Sequence, residues 1–250
     1  MIHRRDLILS SLAGFAVFAL LREARAAIVS DSRIPARRWI LRHDELARGL
    51  ASSKVKPLEW HDAVNALGAE VDVAELGAEL RRSKLREAGT PFGHDPKKRF
   101  VTFLEENGAP VHLSYGAALF SFDKDSVITP HAHKHMASAH LVIDGKVRIR
   151  TFDRVADEDG ALLVHPSRDE VAEAGHAAAM TTLKDNVHWF ASRSAAAMTF
   201  DVIVDGLDPG TERYVIQPVD PLGGEQLSDG SIRAPLLSFE ESSKRYSAAL

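Results

Sequence analysis

Thr129-Pro130-His131-Ala132-His133-Lys134-His135-Met136 leads into an apolar run that ends at Asp144-Gly145, and a second run follows from Lys146 to Phe152. This stretch decides the fold. Asp-Gly between two runs of strand-forming residues predicts a tight hairpin. In a strand, residues i and i+2 share a face, so His131 and His133 project to one side, as two ligands of a single ion must. Working outward, strand-like runs recur at 100–104, 111–122, 141–152, 162–165, 186–190 and 197–204, separated by turn signals such as Asn107-Gly108, Asp123-Lys124-Asp125 and Asp157-Glu158-Asp159-Gly160. Many short strands at this spacing predict a mainly β protein, an antiparallel barrel or double-sheet jelly roll.

Ahead of the strands the periodicity is helical. Trp39, His43, Leu46 and Leu50 recur at steps of three and four, as do Trp60, Val64 and Leu67, and then Val73, Leu76 and Leu80. Three short helices are expected, with Pro57 near the start of the second and Asp72 capping the third. Too small for a core of their own, they form a helical layer over residues 27–98, packed on a barrel spanning 99–217. Residues 218–250 are turn-rich and are expected to wrap the barrel.

Composition narrows the function. The chain of 250 residues is 45% apolar and 26% charged, which places it among globular proteins. A formal charge of −4 with no long basic block excludes nucleic acid as a partner. The absence of cysteine removes disulfides, thiolate zinc sites, iron–sulfur clusters and a cysteine nucleophile, leaving twelve histidines and the carboxylates for metal or acid–base chemistry.

Residues 1–26 read as an export signal. His3-Arg4-Arg5-Asp6 precedes a mostly apolar run from Leu7 to Leu21, and Ala24 and Ala26 suit cleavage before Ala27. At 1.5 Å per residue that run is about 22 Å of helix, short of the roughly 30 Å hydrocarbon core, so no stable membrane span is expected after cleavage. A retained anchor is the alternative. Arg4-Arg5 with Asp6-Leu7-Ile8 resembles the bacterial twin-arginine signal, which implies the twin-arginine export machinery as a partner and a folded protein delivered to the periplasm or medium.

The strands around the histidines resemble the cupin superfamily, whose first motif carries His-x-His and a Gly closing the hairpin, and whose second carries a His on a later strand. Gly145 and the block Asn186-Val187-His188 fall in those places, while Ala137 and Ser138 stand where the usual Glu ligand would be. The resemblance therefore implies a cupin double-stranded β-helix with an N-terminal layer of short helices. Within the superfamily the sequence is most similar to the thiol dioxygenases of the cysteamine dioxygenase and plant cysteine oxidase type, whose iron is held by three His. It covers 111–214 and includes Ile128-Thr129-Pro130-His131, His133, Met136, Gly145, Asn186-Val187-His188 and Asp201-Val202. Two positions depart from that pattern: an acidic residue between the two His is Ala132 here, and Pro-Gly before the Met is Lys134-His135.

The resemblance implies one divalent metal at His131, His133 and His188, with Fe(II) favoured and Zn(II), Mn(II) or Ni(II) as alternatives. It also implies a small-molecule substrate, a thiol being the suggested case, and a mononuclear non-haem iron oxidoreductase of the dioxygenase kind. A non-catalytic metal- or ligand-binding cupin module is the alternative. His135 shares the parity of 131 and 133, and Asn186 that of His188, so both are candidates to stand beside the ligands; Tyr115 and Tyr214 are candidates for a hydroxyl in the pocket. His140 has the opposite parity if its strand is continuous, which predicts packing rather than chemistry. His112, His165 and His176 are expected to have no catalytic role. Arg148 and Arg150 are expected to face solvent, so no cation is placed inside the barrel.

Overall fold

Helices α1 (Ala36–Ala51), α2 (Pro57–Glu70) and α3 (Val73–Arg82) begin at the expected signals. Pro57 occupies the first turn of α2, where its missing N–H costs nothing. The Asp72 carboxylate accepts from the backbone N–H of Ala74 (2.9 Å) and Glu75 (3.1 Å), capping α3. The computed structural model describes residues 33–89 and 92–247, so the export-signal reading lies outside the described residues. Among those described, no helix is long and apolar enough to cross a membrane.

Thirteen strands follow among the described residues: β1 (Lys84–Glu87), β2 (Lys97–Thr102), β3 (Gly116–Asp123), β4 (Val127–Lys134), β5 (Met136–Asp144), β6 (Lys146–Glu158), β7 (Ala161–Glu173), β8 (Ala177–Met180), β9 (Val187–Ser192), β10 (Ala196–Asp205), β11 (Val215–Pro218), β12 (Glu225–Gln226) and β13 (Ile232–Pro235). Helix α4 (Phe239–Tyr246) closes the described chain. One sheet has the order β1-β2-β3-β10-β5-β8 and the other β11-β4-β9-β6-β7-β13-β12. Numbering β3 to β10 as one to eight, the two sheets contain 1-8-3-6 and 2-7-4-5, with all neighbours antiparallel. That interleaving is the jelly roll, the double-stranded β-helix of cupins.

Several boundaries differ from the sequence reading. Residues 27–98 include β1 and the start of β2, not helices alone, and the C-terminal wrap adds β12 and β13 to the second sheet. Strand β7 does not stop at His165. Pro166 pairs with Phe152 and Arg168 with Thr151, leaving Ser167 as a bulge, one of the few settings in which a sheet tolerates proline.

Each sheet is covered on its outer face. Over the first, Trp39 packs 5.8 Å from Phe200 between ring centroids and donates its indole N–H to the Leu67 carbonyl at 2.8 Å. Gly68 lets α2 approach β8, since a Cβ there would sit 2.5 Å from that of Ala177. Asn65 accepts from the Ala179 N–H at 2.9 Å and so covers an edge that would otherwise be open. Over the second sheet, Val219, Ile232 and Ala234 pack on Phe152, Val164 and Val187, while Tyr246 packs on Trp189 and donates to Asp220 at 2.7 Å. Between the sheets, Phe122, Val142, Val147, Ile149 and Phe190 fill one end of the barrel. The other end holds a cavity.

Candidate metal centre

The β4–β9 ladder pairs Ile128 with Phe190 and His131 with His188, three steps on one strand against two on the other. The extra residue is a bulge at Thr129-Pro130, where proline's missing N–H breaks no regular pair. Past the bulge, His131 and His133 face the interior and His188 stands directly across from His131. Each of the three offers one ligand atom, all within 4.8 Å of one another. Their ring centroids lie 4.9, 4.2 and 4.7 Å apart.

The backbone sets the tautomers. His131 Nδ1 lies 2.8 Å from the Thr129 carbonyl and His188 Nδ1 lies 3.2 Å from the Asn186 carbonyl. A carbonyl only accepts, so both Nδ1 atoms carry the hydrogen and both Nε2 atoms keep a lone pair. Burial disfavours protonation throughout: it lowers His131 to about 4 and, with the neighbouring histidines adding to the effect, holds His133 and His188 well below the ordinary histidine value. Neutral, tautomer-fixed imidazoles are what a metal requires. His133 Nδ1 is buried without a partner, and among the described residues no Asp or Glu belongs to the cluster. Imidazole donors of this kind fit Fe, Zn, Cu or Ni better than Mg or Ca.

Asn186 is fully buried, and its side-chain N–H groups donate to the carbonyls of His133 (2.9 Å) and Thr181 (2.8 Å). With its own carbonyl on His188, it ties β4 to β9 at the site. His135 stands apart from the three rings: it adopts φ +62° in the one-residue turn between β4 and β5, and its Nδ1 meets Asp208 at 2.6 Å. Tyr115 is buried under α1, 3.4 Å from the Ile40 carbonyl, and Tyr214 is half exposed; neither lines the cavity. His112, His165 and His176 are exposed. Arg148 and Arg150 share Asp169 on the outer surface.

The cavity of about 240 Å³ brings in groups that parity had hidden. The turn at His135 interrupts the strand and resets the alternation, so His140 faces inward with Met136 and Ser138. Its Nδ1 lies 3.0 Å from Thr199 Oγ1 and its Nε2 3.6 Å from Asp201. Burial, aided by Lys98, lowers His140 to about 3, whereas burial pushes the Asp201 carboxyl up to about 7 against the opposing pull of Lys98. Lys98 also lines the cavity, one residue pair above the strand start expected at Phe100. The remaining wall is mainly apolar, with Phe92, Phe120, Ile128 and Ile203.

No known family's sequence profile matches the chain, and no curated protein matches it in sequence. Among solved structures it is similar to procruciferin, an 11S globulin from Brassica napus, at 10% identity over 56% of this chain and 31% of that one, with a TM-score of 0.35. It is also similar to KdgF from Halomonas sp., at 14% identity over 48% of this chain and 84% of that one, TM-score 0.33. A third is an oxalate oxidase in complex with the substrate analogue glycolate, at 14% identity over 52% and 59%, TM-score 0.35. The chain thus spans about a third of the globulin's length and under two thirds of the oxidase's. Strand order and the histidine cluster together define a cupin-type barrel with a candidate three-histidine metal site.

Proposed function

We propose that this protein is an exported metal-dependent oxidoreductase that brings a small substrate and dioxygen together at His131, His133 and His188, the substrate being a thiol in the case the sequence resemblance suggests. One observation carries the reading: three neutral imidazoles, with no carboxylate among them, form one wall of a cavity large enough for a small molecule. Such a set leaves the charge of a divalent ion uncompensated and so favours an anionic ligand such as a thiolate. Fe(II) bound there would supply redox chemistry and oxygen activation, which Zn(II) in the same donors would not.

The chain's own residues account for the rest. The Thr129 and Asn186 carbonyls fix the orientation of two rings, and Asn186 holds the backbone of the third. Phe120, Ile128, Met136 and Ile203 line the cavity around the three rings with apolar surface. Conversion of RSH and O2 to RSO2H balances without an external reductant, so no second cofactor site is required. Holding both reactants adjacent turns a bimolecular encounter into an intramolecular one.

Oxygen uptake with cysteine, cysteamine and other small thiols tests the reaction on iron-loaded and zinc-loaded protein. Thiol-dependent uptake by the iron form alone supports it. An iron-replete preparation that consumes no dioxygen with any of them refutes the thiol reading and leaves another oxygenase substrate or the non-catalytic metal- or ligand-binding module. Export rests on Arg4-Arg5 and Ala24-Arg25-Ala26. Changing both arginines to lysine should strand the precursor in the cytoplasm, because a receptor reads that pair.

A further inference from the structure

Among the described residues lining the cavity, one is a cation that the histidine cluster does not use. Lys98 stands on β2 opposite Phe120 of β3. Its ammonium lies 5.0 Å from the Phe120 ring centroid and 5.2 Å from that of Phe100, so the stem runs over aromatic surface and the charge is held against two ring faces. Among the described residues it forms no ion pair, whereas Lys134, Lys146 and Lys184 are each bound to a carboxylate. Two polar atoms in the same cavity wall are also buried without partners, Ser138 Oγ and Asp201 Oδ1, in residues only 2% and 4% exposed. Buried polar groups are almost always hydrogen-bonded, so two such groups beside a half-buried, unpaired ammonium mark a place where a polar ligand group belongs.

We infer that Lys98 anchors a carboxylate on the substrate, with Ser138 Oγ donating to the same group, so that the cavity selects small organic acids. The reacting end of the acid then meets His131, His133 and His188, a placement that rests on the function proposed above; the carboxylate end does not depend on it. A single ammonium and a cavity of about 240 Å³ suit a compact monoanion better than a phosphate ester. The groups whose charge opposes an anion here are Asp201 and Asp95, and burial favours the neutral form of both. A neutral Asp201 carboxyl would donate to the bound carboxylate rather than repel it.

The test compares matched probes by isothermal titration. On zinc-loaded protein, 3-mercaptopropionate is set against 3-mercaptopropionamide; on metal-free protein, propionate is set against propionamide. Wild type should bind each acid at least about tenfold more tightly than its amide, the lower end of what a charge-assisted hydrogen bond contributes. Lys98→Met keeps the stem over Phe120 and should bring acid and amide within about twofold, with metal content and melting temperature unchanged, while Lys98→Arg should retain the preference. Equal binding of acid and amide by wild type, no binding of either, or a preference that survives in Lys98→Met overturns the inference. Should Lys98→Met fold poorly, Lys98→Gln supplies the same comparison. Acid selectivity without thiol turnover refutes the reaction and leaves the subsite, and thiol turnover without acid selectivity does the reverse.

Discussion

The two ends of the barrel interior are built by the same strands and have opposite chemistry. Strand β9 gives Phe190 to one end and His188 to the other, and β5 gives Val142 and His140 in the same way. At the closed end Phe122, Val142, Val147, Ile149 and Phe190 are at most 1% exposed and bring no side-chain polar atom to satisfy. At the open end the side chains are nearly as buried, yet atoms of His133, Ser138 and Asp201 lack partners, each at a cost on the order of 1–3 kcal/mol. Stability is thus concentrated where nothing can bind. The open end holds its imidazoles buried and so neutral on the same strands that the closed end packs together.

Truncation at the closed end should give the largest effect. Phe190→Ala removes a fully buried ring from tight packing and should destabilise by about 3–5 kcal/mol in chemical denaturation. At the open end, His188→Ala should cost the metal-free protein much less, about 1–2 kcal/mol, because an unfavourably buried polar ring leaves with its hydrogen bond. Comparable losses at both positions would break the contrast between the ends.

The same His188→Ala variant carries the second prediction, the response to metal. A ligand that binds only the native state at 100 times its Kd stabilises by about 2.7 kcal/mol. Wild type should show an upward shift in melting temperature with added divalent metal and about one ion per chain by elemental analysis. His188→Ala should lose most of both. Unchanged metal content in that variant would remove His188 from the ligand set.

A third prediction sets the orphaned groups of the cavity against a polar network that is fully paired. Asp185 receives His61 Nε2 at 2.9 Å, Thr151 Oγ1 at 2.7 Å and Ser167 Oγ at 2.6 Å, joining α2 to the barrel just before Asn186. Burial alone would raise the Asp185 carboxyl, but those bonds hold it well below the usual carboxylate range. Burial alone would lower His61, but Asp185 and Asp62 raise it above the ordinary value. The Asp185 contribution is therefore lost as pH falls through its depressed value. The His61 contribution is complete below about 6.5, its unfolded value, and is lost as pH rises through the raised one. His61→Asn should lower stability near pH 6 by about 1–2 kcal/mol and flatten the alkaline limb of the melting-temperature profile. Parallel wild-type and variant profiles between pH 5 and 9 would show that His61 is not charged in the native state.

What the sequence disclosed depended on whether a feature was local. Helix periodicity, the Asp72 cap, the Asp144-Gly145 turn and the shared face of His131 and His133 are all set within a few residues; the rhythm of strands and turns pointed to an antiparallel barrel or a jelly roll, and the cupin resemblance singled out the jelly roll. His188 came into view through its resemblance to a motif, since nothing local links it to residues more than fifty positions earlier. The groups that were missed depend on breaks in alternation. His140 was assigned to the wrong face because a turn at His135 resets the parity of β5, and Lys98 stayed hidden because β2 begins three residues before the expected strand. Asp201 was noticed for its resemblance, but its burial against His140 arises only when β10 pairs with β5.

The smallest effect is expected at that parity-resetting turn. Gly145, between β5 and β6, has φ +68°, and a Cβ there would lie 2.3 Å from the Ala196 carbonyl oxygen, so that turn admits no side chain. His135 makes the preceding turn with nearly the same φ, +62°, and points its ring outward to Asp208. A left-handed conformation costs an L-residue about 1–2 kcal/mol, which glycine escapes, but glycine surrenders about 0.5–1 kcal/mol of chain entropy and the Asp208 contact as well. These nearly cancel, so His135→Gly should change stability by less than about 1 kcal/mol. Because His135 lies outside the three-ring cluster, metal content and oxygen uptake should match wild type. A His135→Gly protein with normal melting behaviour but depleted metal would mean that the turn histidine reaches the site after all, and that the polar end of the barrel extends past the bulge to the surface.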